Sequence, residues 1–237
     1  ISEIYELAKV HELVEVNPAS FSLKAAFGPH RRQHKHHASL PFDRGPEFWA
    51  WIQAAPCEEM TRQLAMLLVL TAKRTSEARF ARWSDFDADR TIWTTTGERM
   101  KMRRGHRVPV VRQARIILDN LDFIRAAGTD HAFGKPRSKS GVISENAALN
   151  LVKRFDPDIT MHGFRSSFRT WSRKQARYAH DVMEIALAHE KDDLIAAYER
   201  DDLLEERRPL MQNWADFVTT GEDPASLRAQ FAEKAGR

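Results

Sequence analysis

The sequence predicts a mainly α-helical protein with one small antiparallel β-sheet, an α+β fold. Apolar residues recur at helical spacing over most of the chain, and only ten of its 237 residues are glycine, a share below the roughly 7% average that suits helices better than a turn-rich barrel. Residues 91–96 and 107–111 differ, because both are rich in β-branched side chains and they flank a polar, basic stretch at 97–105. This pattern predicts a β-hairpin.

The helical spacing predicts nine segments, the last of which should be kinked or split at Pro209 because proline cannot donate a helical hydrogen bond. In chain order the predicted helices are 4–16, 46–54, 60–71, 76–83, 113–127, 146–155, 163–176, 181–189 and 194–217.

The chain divides into segments of different composition. We expect residues 1–24 to be the end of an upstream domain, 25–40 to be a basic linker, 41–218 to be the main globular domain and 219–237 to be a tail of mixed charge. Four histidines occur between positions 30 and 37. Their spacing matches no helical metal-ligand pair, so a solvated or DNA-tracking linker is favoured over a metal site.

Composition excludes several classes of protein. The chain is modestly basic, with 37 Lys plus Arg, 33 Asp plus Glu and a pI near 9.3. Its apolar runs are shorter than the roughly 18 residues that a membrane-spanning helix needs. The single cysteine, Cys57, excludes an intramolecular disulfide and indicates a reducing compartment. We therefore expect a cytoplasmic protein with no membrane partner.

Positive charge is concentrated in three clusters without acidic residues, at 99–107, 135–139 and 165–177. Each alone could be a solvated surface, but together they favour a nucleic-acid partner. The acidic stretch 190–206 is expected to face protein or solvent. The candidate phosphate contacts are Arg103, Arg104, Arg107, Lys135, Lys139, Arg169 and Arg173.

No zinc-protease, serine-hydrolase or phosphate-loop motif occurs in the chain. What does recur is a set of side chains suited to binding and cleaving a phosphodiester. Each alone has an ordinary structural explanation, such as packing for Tyr198, a helix cap for His189 or pairing with Glu77 for Arg74. The set is Arg74, Lys101, His162, Arg165, His189 and Tyr198.

The order of these residues, with the strings around them, resembles the tyrosine recombinase (phage integrase) family, most closely the integrases of prophages and genomic islands. The strings are LTAKRTSE at 70–77, ARWSD at 81–85, ERMK at 98–101, HRVP at 106–109, HGFR at 162–165, LAH at 187–189 and AY at 197–198. The resemblance spans about residues 40–217, and 1–23 resembles the end of the family's core-binding domain. Ala72 departs from the glycine usual in the family, and alanine is strained there if the position needs a positive φ.

The resemblance implies the catalytic-domain fold of that family and a site-specific recombinase without metal, ATP or other cofactor. Tyr198 would attack a DNA phosphate to give a 3′-phosphotyrosyl link and a 5′-hydroxyl. Arg74 and Arg165 would bind the phosphate, and His162 would accept the tyrosine proton. Lys101 would protonate the leaving oxygen, His189 would bond a non-bridging oxygen, and Glu77 would support Arg74 or His162.

The implied partners are double-stranded DNA attachment sites, a homotetramer formed on DNA by a protein that is monomeric alone, and DNA-bending accessory proteins. The implied process is integration or excision of a prophage or genomic island at the nucleoid of a bacterial cytoplasm. Three alternatives stay open: a catalytically silent DNA-binding remnant, a type IB topoisomerase-like relaxase, and a helical interaction protein that docks through its acidic stretch.

Overall fold

The computed structural model describes residues 1–20, 38–100, 104–176, 178–188 and 202–222. The chain forms two compact units, 1–36 and 37–237. The first unit contains helix α1 (Ser2–Val10), which is shorter than the predicted 4–16. Glu12 adopts a left-handed φ of 54°, and the N–H of Leu13 bonds the carbonyl of Ala8, so the helix ends in a turn. Most of the predicted linker lies outside the described residues.

The second unit is mainly helical with one two-stranded antiparallel sheet, which confirms the predicted fold class. Strands β1 (Ile92–Thr95) and β2 (His106–Pro109) pair with Ile92 opposite Pro109 and Thr95 opposite His106. The helices are α2 (Gly45–Ala54), α3 (Glu59–Thr71), α4 (Thr75–Arg79), α5 (Arg112–Asn120), α6 (Asp122–Ala126), α7 (Asn146–Phe155), α8 (Gly163–Trp171), α9 (His180–Ala186) and α10 (Leu204–Thr220).

The predicted helices differ from the observed ones mainly at their ends. The predicted helix 113–127 is two helices that meet at Leu121, and α8 continues as a π-helical turn, Ser172–Ala176. Helix α10 includes Pro209 and is not split there. Because Pro209 lies in the second turn, it removes only the hydrogen bond to the carbonyl of Glu205.

Helix α3 lies at the centre of the core and packs against α2, α5, α7 and α10. Its leucines are almost fully buried. Trp214 of α10 packs against Trp171 of α8 with the two rings tilted, and it donates its indole N–H to the carbonyl of Val69 at 2.8 Å. These contacts fix α8 and α10 around the C-terminal end of α3, which is where the site described below begins. No helix in the described part of the chain is long and apolar enough to cross a membrane.

Candidate active site

Arg74 lies in the sharp turn between α3 and α4. Helix α3 ends at Thr71, and Ala72 reverses the chain with φ 49° and ψ 24°, in the left-handed region. Arg74 is extended just before α4. Its guanidinium donates to Oε1 of Glu77 at 2.8 Å and lies 3.5 Å from the carbonyl oxygen of Ala188. Ala72 therefore has a positive φ, which is strained for alanine and which the glycine usual in the family would adopt more easily.

Arg165 approaches the same place from the first turn of α8. Its side chain is buried and donates to the carbonyls of Ala72 and Leu187. The two arginines thus bind consecutive carbonyls, those of Leu187 and Ala188. Burial, followed by the positive charge of Arg74, lowers the pKa of Arg165 to about 10, against the opposing effect of Glu77. The structure therefore holds two positively charged guanidinium groups close together, an arrangement suited to binding an anion.

Glu77 is buried between two cations. Its Oε1 accepts from Arg74, and its Oε2 lies 3.4 Å from Nζ of Lys73. Burial would raise the pKa of Glu77, but the charges and hydrogen bonds of Lys73 and Arg74 outweigh it and the pKa lies below its usual value. The carboxylate is therefore ionised and balances the local positive charge.

Lys73 is a site residue that sequence reasoning missed. Its side chain is 1% exposed, and Nζ donates to Oγ1 of Thr95 at 2.7 Å and lies 4.6 Å from the ring centre of Trp93. Burial lowers its pKa to about 8 despite the opposing charge of Glu77. Its four-residue spacing from Glu77 was the available signal, but that spacing does not indicate burial.

His162 lies immediately before α8, and its side chain is exposed. The backbone N–H of Arg165 bonds the carbonyl of His162 at 3.1 Å, so the two residues share the first turn of one helix. Gly163 between them is required sterically, because a Cβ there would lie 2.5 Å from the carbonyl oxygen of Ala38. Backbone packing thus fixes the start of α8.

Four of the predicted residues, Lys101, Arg103, His189 and Tyr198, lie outside the described residues. Their roles stay predictions. In the sequence, Tyr198 lies between Ala188, whose carbonyl faces Arg74, and Asp202, which forms ion pairs with Arg107 and Arg207.

A second buried polar cluster lies behind the hairpin and was not predicted. Arg207 of α10 is fully buried and donates to the carbonyl of Arg107 at 2.6 Å. Nε2 of His106 lies 3.0 Å from the carbonyl of Ile185. Burial, followed by the charges of Lys73 and Arg207, lowers the pKa of His106 to about 3. The imidazole is therefore neutral at physiological pH, and the cluster ties β2 to α9 and α10.

The described candidates for phosphate contact fall into two groups. Three form intramolecular ion pairs: Arg107 with Asp202 at 2.7 Å, Lys135 with Glu58 at 2.9 Å and Arg169 with Glu184 at 2.6 Å. The others are exposed: Arg104, Lys139 and Arg173. Exposed ion pairs are weak, so a phosphate can compete for the first group. Among the described residues, no group of three or more His, Cys, Asp or Glu side chains could hold a metal ion.

The chain belongs to the phage integrase family, the tyrosine recombinases, whose family model matches residues 40–204. The integrase of Enterobacteria phage P4 is 33% identical over 236 residues, which cover 92% of this chain and 53% of the phage protein. Prophage integrase IntZ of Escherichia coli (strain K12) is 33% identical over 223 residues, with the same coverage of each chain. The chain thus spans about half the length of these curated relatives.

Solved integrase structures share the fold. A lambda integrase(75-356) dimer bound to a COC′ core site matches with a TM-score of 0.54 at 19% identity, over 85% of this chain and 70% of that one. The Tn1549 transposon integrase in complex with a circular intermediate DNA matches with a TM-score of 0.57 at 13% identity, over 89% and 76%. The fold of this chain is therefore that of the tyrosine recombinase catalytic domain.

Proposed function

We propose that this chain supplies the catalytic domain of a site-specific DNA recombinase, which integrates or excises a prophage or genomic island. The observation that carries the proposal is the pair of guanidinium groups of Arg74 and Arg165, held on consecutive backbone carbonyls. Membership of the phage integrase family supports it, as do the names of the relatives, which are integrases of phages and prophages.

The positive charges of Arg74 and Arg165 match the negative charge that develops on the phosphate during the reaction. A phosphodiester carries one negative charge and gains another in the pentacoordinate transition state, so fixed cations stabilise the transition state more than the ground state. Arg165 uses two of its five N–H groups on backbone carbonyls, which fixes its orientation and leaves donors for a phosphate. Arg74 is oriented by its hydrogen bond to the carboxylate of Glu77, which likewise leaves donors for a phosphate.

The covalent steps follow from the residues that the family resemblance assigns. The Tyr198 oxygen attacks phosphorus while His162 takes the phenolic proton, and the bond to the 5′-oxygen breaks. Lys101 gives a proton to that oxygen, and His189 donates a hydrogen bond to a non-bridging oxygen. Attack by a 5′-hydroxyl from the partner strand reverses these transfers and releases Tyr198, so no external energy source is consumed.

The partners belong to the same proposal. We infer that the protein is monomeric alone and assembles as a homotetramer on double-stranded attachment sites, with DNA-bending accessory proteins, at the bacterial nucleoid. The structural neighbours include a lambda integrase dimer bound to a core site and a lambda integrase tetramer bound to a Holliday junction, which supports DNA-templated assembly here.

The test is covalent trapping in EDTA. The chain is incubated with supercoiled plasmid, quenched with detergent and compared with Tyr198→Phe for relaxed DNA and protein-linked nicks. We expect both products with the wild type and neither with the variant, because phenylalanine has no nucleophilic oxygen. Tyr198-independent activity would overturn the proposal. DNA binding without any covalent product would favour the silent remnant, and relaxation without strand exchange between two recombining sites would favour the relaxase.

A further inference from the structure

The most unusual group near the arginine pair is the buried ammonium of Lys73. A buried charge is unfavourable unless it is paired, and replacing a buried ion pair by apolar side chains of similar volume often leaves stability unchanged or higher. Stability alone therefore gives no reason for a lysine at this position. Its contacts indicate what else it does.

The first contact is with the carboxylate that orients Arg74. The two oxygens of Glu77 face different cations, Oε1 facing Arg74 at 2.8 Å and Oε2 facing Lys73 at 3.4 Å. Because a cation contacts each of its oxygens, the Glu77 carboxylate has a fixed orientation. The guanidinium of Arg74, which bonds that carboxylate, is therefore oriented as well. Without Lys73, the whole negative charge of Glu77 would act on Arg74 and reduce its attraction for a phosphate.

The second contact is with the β-hairpin. Nζ of Lys73 donates to Oγ1 of Thr95 at 2.7 Å, and Thr95 is the last residue of β1. The chain continues from β1 through the turn Gly97–Arg99 toward Lys101. Lys73 also packs against the ring of Trp93 in the same strand. One ammonium group therefore joins the Arg74 turn to the base of the hairpin that carries Lys101.

We propose that Lys73 is a positioning residue for strand cleavage, which fixes Arg74 through Glu77 and fixes the base of the Lys101 hairpin through Thr95. The proposal rests on the proposed recombinase function. The ion pair with Glu77 requires protonated Lys73, whereas the neutral amine can still donate to Thr95.

The charged groups around Lys73 come from four elements. Glu77 of α4 and Asp85 of the turn Trp83–Asp85 favour its protonated form, whereas Arg165 of α8 disfavours it. His106 of β2 also interacts with it but is neutral at physiological pH. Burial dominates and brings the pKa of Lys73 to about 8, so its contribution should decline as the pH rises past that value.

The experiment compares single-turnover cleavage by the wild type and Lys73→Met between pH 6.5 and 9.5. Methionine keeps the length and apolar stem but carries no charge. We expect the wild type to be about tenfold faster below pH 8, and the ratio of rates to fall toward about three above pH 9, where only the hydrogen bond to Thr95 remains, with DNA affinity unchanged. A ratio that does not change with pH, or equal rates throughout, would overturn the proposal.

Three further variants separate positioning from folding. Lys153→Met, at an exposed lysine of α7, should give a ratio near one at every pH. Thr95→Val removes only the hydroxyl that Lys73 contacts and should slow cleavage about threefold, whereas Thr95→Ser should restore it. An unaffected Thr95→Val variant would overturn the hairpin part of the proposal.

Orthovanadate binding gives a readout that does not depend on cleavage. Calorimetry at pH 7 should show that Lys73→Met binds this phosphate mimic about fivefold more weakly, because Arg74 is less well oriented. If Lys73→Met binds vanadate more weakly but the wild type shows no Tyr198-dependent cleavage, the recombinase function is refuted. The role of Lys73 toward the anion site is then kept. Unchanged vanadate affinity would overturn the role of Lys73 toward Arg74.

Discussion

Arg165 combines a structural role with the chemical role proposed above. Its planar fork spans two backbone carbonyls from different parts of the chain, those of Ala72 and Leu187. Lysine has the same charge but only one donor centre, so it cannot bind both carbonyls with fixed geometry. The buried position therefore requires arginine, whatever anion the site binds.

Arg165→Lys should lower the free energy of unfolding by about 1–3 kcal/mol, because at least one buried carbonyl loses its donor. It should also reduce vanadate binding at least tenfold. Urea denaturation and calorimetry measure the two effects. Arg112→Lys is the matched control, because Arg112 pairs with Asp216 at the surface and its replacement should change stability by less than about 0.5 kcal/mol. Equal stability of the two variants would contradict this role of Arg165.

Ala72 stores strain at the turn that precedes Arg74. Its φ of 49° disfavours a side chain with a Cβ, at a cost of roughly 1 kcal/mol. Ala72→Gly relieves that strain but also removes a buried methyl group, so it should change the free energy of unfolding by less than about 0.5 kcal/mol. Ala78→Gly, at a buried position of helix α4, should lower the free energy of unfolding by about 1 kcal/mol or more. Equal destabilisation by the two variants in urea denaturation would contradict strain at Ala72.

At the scale of elements, the β-hairpin is held to the helices by buried polar groups. His106 and Arg207 attach β2 to α9 and α10, and Lys73 attaches β1 to the α3–α4 turn. These contacts link residues that are 79, 100 and 22 positions apart. The hairpin thus belongs to the site because of tertiary contacts rather than local sequence.

The neutral state of His106 predicts pH-dependent stability. Its pKa is about 3 in the folded chain and about 6.5 in the unfolded chain. Between these values the unfolded chain binds the extra proton, so stability should fall as the pH is lowered from 6.5, by up to about 1.4 kcal/mol per pH unit from this group. His106→Gln should show a smaller decline in urea denaturation between pH 6.5 and 4.5. The same slope in both proteins would contradict a buried, neutral His106.

The sequence predicted the elements better than it predicted their ends or the site. Amphipathic spacing was enough to predict α3 and α7, and β-branched residues on both sides of a polar stretch were enough to predict the hairpin. It could not predict the end of α1 at Val10 or the break at Leu121, because neither has a glycine or proline to mark it. The family resemblance brought Arg74 and Arg165 into one predicted site. The burial of Lys73, His106 and Arg207 depends on tertiary contacts that spacing does not reveal.

At the scale of the whole molecule, the net charge is only +4 at pH 7. DNA affinity should therefore depend on a few exposed cations rather than on the charge of the whole chain. Lys139→Ala should reduce the slope of log affinity against log salt by about one unit and leave cleavage chemistry unchanged. Lys135→Ala should have a smaller effect, because Lys135 is already paired with Glu58. Filter binding at several salt concentrations measures both slopes. An unchanged slope for Lys139→Ala would remove this residue from the proposed DNA interface.

The central claim is that Tyr198 becomes covalently attached to DNA, and peptide mapping of the trapped complex tests it most directly. After nuclease and trypsin digestion, mass spectrometry should find a nucleotide on the peptide from Asp192 to Arg200, with the fragments placing it on Tyr198 through a 3′-phosphate. A nucleotide on another residue, or a 5′-phosphate link, would contradict the tyrosine recombinase mechanism proposed for this chain.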